Sequence, residues 1–153
     1  MKIITYIIGV LCVLTILSPK VAVSEDLPKK TPAEKKAEAV TLAIMQVETG
    51  GKCNLEGGSG ERGCMQFLDS TWRGYAKKYM GTTTLPMTKE NEILLLTKVN
   101  KAHILNGRTI EQVALIHNSG QYKQHRKGVN KFGVPYDTRT YTSKVLREYE
   151  KLI

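Results

Sequence analysis

The chain has 153 residues, 41% of them hydrophobic, and a formal net charge of +9 at pH 7. That length suits one compact domain with a real core and excludes an assembly of several. The basic balance favours an anionic partner such as a cell-wall polymer or lipid headgroups, although the cations are dispersed (Lys77 and Lys78, Lys98, Lys101, Arg126 and Lys127), as on an ordinary solvated surface.

In chain order, Met1 and Lys2 precede an uncharged run from Ile3 to Leu17 and then Ser18, Pro19 and Lys20. A basic start followed by an apolar stretch short of the roughly 20 residues of a spanning helix reads as an export signal over residues 1–24. Two forms stay open. The small residues Ala22 and Ser24 suit a signal peptide cut after Ser24. Pro19 and Lys20 interrupt that approach, which suits an uncleaved signal anchor holding the protein at the inner membrane through residues 3–17. The bulky Leu11 before Cys12 argues against a lipoprotein attachment site. The expected location is periplasmic or extracellular, and nucleic acid is not an expected partner there. Loss of residues 1–24 removes Lys2 and Lys20 but no acid, leaving a charge of +7. Residues 25–30, polar and broken by Pro28, read as a linker, with the domain over 31–153.

The spacing predicts a helix from Thr31 to Glu48, with Thr31 as N-cap, Pro32 at the first helical position and Glu34 completing a capping box. Ala33, Ala37, Val40, Ile44 and Val47 form its core stripe. Glu48 lies at the margin of that stripe, followed by Thr49, Gly50 and Gly51. Partial burial and the negative end of the helix dipole both disfavour an ionised carboxylate there, a setting that suits a general acid.

A glycine-rich loop from Gly50 to Gly63 follows. Asp69 is read as the cap of a second helix with Trp72, Tyr75, Ala76 and Tyr79 on one core-facing side, stopped by Gly81. Thr88 opens a third helix carrying Ile93, Leu96, Val99 and Leu105 to Asn106 and Gly107. Thr109 and Gln112 form a second capping box, starting a helix through Val113, Leu115 and Ile116 that delivers His117, Asn118, Ser119 and Gly120 at its end. A turn-rich stretch with Gly128, Gly133 and Pro135 precedes a last helix, capped by Thr138 and lined by Tyr141, Val145 and Tyr149. No strand ladder is expected, and the fold class is all-α.

Cys53 and Cys64 form an even pair in an oxidising compartment once Cys12 leaves with the signal, and are read as a disulfide closing the glycine loop. Gly58, Gly60 and Gly63 fit G-x-G-x-x-G, but no hydrophobic strand precedes them and no acid follows about 20 positions on, so a dinucleotide site is rejected. His103, His117 and His125 lack metal-ligand spacing, and Ser59 and Ser119 lack a nucleophile elbow. Neither a metal nor any other cofactor is expected.

The signatures that survive are Glu48-Thr49-Gly50, Gly63-Cys64-Met65-Gln66, Asn118-Ser119-Gly120 and Thr138-Arg139-Thr140-Tyr141 followed by Lys144-Val145. Together, over nearly all of residues 33–150, they resemble the soluble lytic transglycosylase family, which shares the goose-type lysozyme-like fold. Thr49 stands for that family's Ser, Cys64 for its Leu, and Ile116 and His117 for its Ala and Tyr. The resemblance implies a helical domain with a glycan-binding groove, acting on peptidoglycan glycan strands as a monomer. It assigns Glu48 as catalytic acid/base, Thr49, Met65, Gln66 and Asn118 as substrate-binding, and Tyr141 as a neighbour of the catalytic carboxyl. His117 is read as filling space. A service to a secretion or conjugation apparatus suits the small size. Glycosidases mostly use two carboxylates. Here Glu56, Glu61, Asp69 and Asp137 are the candidates for a second and are each read as structural. A lone acid favours a transglycosylase over two alternatives, a muramidase on the same fold and a non-catalytic wall-binding or assembly module.

Overall fold

The computed structural model describes residues 29–153, so the export-signal reading of 1–24 and most of the linker lie outside the described residues. The domain is mostly helical: α1 (Pro32–Thr49), α2 (Asp69–Met80), α3 (Lys89–Leu105), α4 (Ile110–Ser119) and α5 (Thr138–Glu150), with a short hairpin of β1 (Lys127–Val129) and β2 (Pro135–Asp137) between the last two helices. No described helix is long and apolar enough to cross a membrane.

Local chemistry fixes the helix ends. The capping boxes at Thr31 with Glu34 and at Thr109 with Gln112 are both formed. Gly50, Gly81 and Gly120 close α1, α2 and α4 in the left-handed conformation that glycine adopts without a Cβ penalty. Two expected caps shift by one residue. Leu68, not Asp69, is the N-cap of α2, and Asp69 instead ion-pairs Arg62 and Arg73. Asp137, not Thr138, caps α5, accepting from the N–H groups of Arg139 and Thr140, which hold its carboxyl below the usual range. Thr138 is fully buried, and its hydroxyl ties the hairpin entry at Arg126 to α5.

The hairpin is the main departure from the all-α expectation. It pairs antiparallel in the register Lys127 with Asp137, Gly128 with Tyr136 and Val129 with Pro135. Strands of three residues surrounded by glycine and proline carry too little alternation to be legible as a ladder.

The core gathers Val40 and Ile44 of α1, Trp72 and Ala76 of α2, Leu95, Leu96 and Val99 of α3, Val113 and Ala114 of α4, and Val145 and Tyr149 of α5. Helix α1 runs through the middle, packed on α3 and α5. Trp72 is a core residue, 3% exposed, with its indole N–H donating to the Leu85 carbonyl. Leu105, expected inside, is 65% exposed at the end of α3. At the other end of the domain, Lys101 reaches Glu34 and, with the Thr31 contacts, lowers the Glu34 carboxyl to about 2. Most of the site is thus assembled where α1, α4 and α5 meet.

Candidate active site

Three helices and one turn deliver the site. The last turn of α1 carries Glu48, whose side chain is 19% exposed. Helix α5 brings Tyr141 across 93 residues of sequence, and its hydroxyl donates to Glu48 Oε1 at 2.7 Å. Burial first, and the Glu48 carboxylate second, push the Tyr141 phenol well above its ordinary range, so it serves as a permanent hydrogen-bond donor. The end of α4 supplies His117 and Asn118. His117 Nε2 lies 3.0 Å from the Met65 carbonyl oxygen and 3.4 Å from Glu48 Oε1. No protein donor among the described residues engages the other oxygen, Oε2.

The turn is held from behind. Cys53 and Cys64 are disulfide-bonded, as the sequence suggested, closing the glycine loop onto the turn. The N–H groups of Cys64 and Met65 donate at 3.1 and 2.8 Å to Oε1 and Oε2 of Glu92, a carboxylate on α3 with no solvent exposure. Burial pushes the Glu92 carboxyl up, and the two backbone hydrogen bonds partly offset that. Gly63 is required here twice over. Its φ is 83°, and a Cβ at that position would run into the Glu92 carboxylate. Gln66 then adopts φ 51°, the only described non-glycine residue at positive φ. Such a conformation costs on the order of 1–3 kcal/mol and persists where surrounding contacts impose it. Here the contacts are the Gln66 Nε2 bonds to the carbonyls of Leu55 and Gly63 and the paired backbone bonds between Arg62 and Phe67.

Two adjoining clefts open over these residues. One of about 230 Å³ is lined by Glu48, Gly57, Gly58, Glu61, Gln66, His117 and Asn118. The other, about 540 Å³, shares Glu61, Gln66, His117 and Asn118 and continues past Phe67, Leu68, Thr71 and Tyr75 to Ile116 and Gly120. They form one groove with Glu48 at one end. Tyr75, expected in the core, is part of its wall. The hairpin reaches the same region, with Asn130 donating to Ser59 and Val134 against Gly58.

The residues singled out by sequence divide in two. Glu48, Gln66, Asn118 and Tyr141 come together, the first three on the groove and Tyr141 on the Glu48 carboxyl. Thr49 and Met65 do not reach the groove with their side chains. Thr49 is 8% exposed, its hydroxyl donating to the carbonyls of Met45 and Cys64, and Met65 is fully buried in the core. Both support the turn from behind. His117 does fill space, edge-on to Phe67 at 5.5 Å, yet its nitrogen lies beside the carboxylate. Glu92 was missed altogether. Its signal was a lone charge on the apolar stripe that Leu95, Leu96 and Val99 continue.

Among the described residues, no three His, Cys, Asp or Glu side chains are grouped as metal ligands. Comparison with protein-family models, curated proteins and solved structures returns no match for this chain.

Proposed function

We propose that the protein is an exported peptidoglycan lytic transglycosylase built on a goose-type lysozyme-like domain, cleaving the β-1,4 bond between N-acetylmuramic acid and N-acetylglucosamine. The observation that carries this reading is the meeting, in one groove, of residues from four separated sequence signatures, with the Tyr141 hydroxyl on Glu48 Oε1 at 2.7 Å. Independent structural roles for those signatures give no reason for them to converge on a single carboxylate.

The chemistry needs one group that acts twice. Oε1 of Glu48 is engaged by Tyr141, so Oε2 is the oxygen that carries the proton. In the first half Oε2–H protonates the glycosidic oxygen, the C1–O bond breaks, and the positive charge on the muramyl ring develops next to the new carboxylate. In the second half Oε2 takes the proton of the muramyl 6-hydroxyl as that oxygen bonds to C1. The product is a 1,6-anhydro end, no water is consumed, and Glu48 recovers its proton. Asn118 and Gln66 offer amides to the sugar, and Tyr75 offers an aromatic wall in the wider part of the groove.

One observation favours a second reading. Of the four loop and turn acids, Glu61 alone lines the Glu48 cleft, its Oε2 accepting from the Ser59 N–H. A carboxylate there can activate water in place of the 6-hydroxyl, giving a muramidase. Digestion of purified peptidoglycan, with the released muropeptides weighed by mass spectrometry, separates the two. Anhydro-muramyl ends that vanish in Glu48→Gln and persist in Glu61→Gln support the transglycosylase. Reducing ends lost in both variants establish the muramidase, and release unchanged in Glu48→Gln removes Glu48 from the chemistry.

A further inference from the structure

We propose that His117 is a positioning residue for Glu48. An N–H fixed on the ring nitrogen nearest the carboxylate supports the negative charge that Glu48 carries between giving up its proton and recovering it. This rests on the acid-then-base role proposed above. The contacts of the ring define its chemical state. His117 Nε2 lies 3.0 Å from the Met65 carbonyl oxygen, and a carbonyl oxygen can only accept. The hydrogen is therefore on Nε2, and the nitrogen 3.4 Å from Glu48 Oε1 presents an N–H edge and not a lone pair. His117 cannot accept the Glu48 proton through that nitrogen. What it does is attract the carboxylate form more than the neutral acid.

The geometry around the ring is built to hold this arrangement. The side chain is 6% exposed and stands edge-on to Phe67 at 74°. The acceptor that fixes the tautomer is itself anchored, because Met65 is fully buried and its N–H is bound by Glu92 at 2.8 Å. Among the described residues no buried side-chain nitrogen or oxygen lacks a partner, and no protein group meets Nδ1, so Nδ1 reaches the groove that His117 lines. Tyr141 and His117 both approach Oε1, which leaves Oε2 without a protein donor among the described residues.

The test pairs two substitutions with a spectroscopic signature. His117→Gln keeps an N–H near the position of Nε2, whereas His117→Phe keeps a ring against Phe67 and removes the N–H. The expected result on peptidoglycan is a fall in kcat of about tenfold or more for the Phe variant with KM little changed, and recovery to within about threefold of wild type by Gln. A residue that only fills space gives the reverse order, and that order overturns the proposal. Ring 15N shifts of His117 in the wild-type protein show protonated Nε2 if the assignment is right, and protonated Nδ1 overturns it whether or not either variant folds. If wild type releases no cleaved glycan at all, the transglycosylase reading fails separately, while the nitrogen shifts still decide the tautomer.

Discussion

Replacing Glu92 by Gln isolates the buried carboxylate behind the site at almost constant shape. Its two oxygens accept from the N–H groups of Cys64 and Met65, and the residue has no solvent exposure. Glutamine supplies one oxygen and one NH2, so one backbone N–H keeps its acceptor and the other faces a donor. Leaving a buried N–H unsatisfied costs about 1–3 kcal/mol, partly offset because a neutral amide is easier to bury than a charge. A net loss of about 1–2 kcal/mol is expected, a fall in Tm of roughly 4–8 °C for a domain of this size, read by thermal and urea denaturation. The pH dependence adds an independent sign. Burial raises the folded-state Glu92 carboxyl above its unfolded value, so its contribution to stability is fully present below the unfolded pKa and is lost as pH rises through the folded one. Glu92→Gln removes that downward slope. Because Gln66 follows the same turn, the variant should also lose turnover at temperatures where it remains folded. A variant as stable as wild type, with the slope intact, would refute the idea that Glu92 holds the turn.

Tyr141→Phe deletes the hydroxyl 2.7 Å from Glu48 while keeping the ring. Its kcat on peptidoglycan should fall by about 10–100-fold, the range for one hydrogen bond to a charged group, with Tm changed little. Replacing both Cys53 and Cys64 by Ser opens a loop of sequence separation 11 and should lower stability by about 3 kcal/mol on the chain-entropy account. Denaturation with and without reductant checks this, since reductant should carry the wild type toward the variant and leave the variant unmoved.

What was legible in the sequence follows the range of the interactions involved. Capping boxes at Thr31 and Thr109 and the stop glycine Gly81 act within a few residues, and the sequence shows all three. Asp137 took the cap from Thr138 because Thr138 is drawn into the hairpin entry through Arg126, a contact 12 residues back that no local pattern encodes. The hairpin itself depends on Asn130 accepting from Phe132 and Val134 and donating to Ser59, 71 residues away. In the site, residue types that carry chemistry were found, but the direction of a side chain was not. Thr49 and Met65 neighbour groove residues in sequence, yet both side chains turn inward because the stretch from Gly63 to Gln66 is wound around Glu92. A stripe of apolar residues hides its one acid from periodicity arguments unless the exception itself is taken as the signal.

Three carboxylates near the turn show how similar side chains acquire different tasks. Glu92 has both oxygens bound to backbone N–H groups and no solvent exposure, so it faces no cleft and its task is to hold the turn. Glu61 gives one oxygen to the Ser59 N–H and stands on the groove in a loop tied to the hairpin. Glu48 is bound at Oε1 alone, by a phenol that burial keeps protonated, with the His117 nitrogen beside the same oxygen. That asymmetry suits a group that must give a proton and then take one back. The bound oxygen fixes orientation and supports the charge, and the unbound oxygen remains free for the exchange.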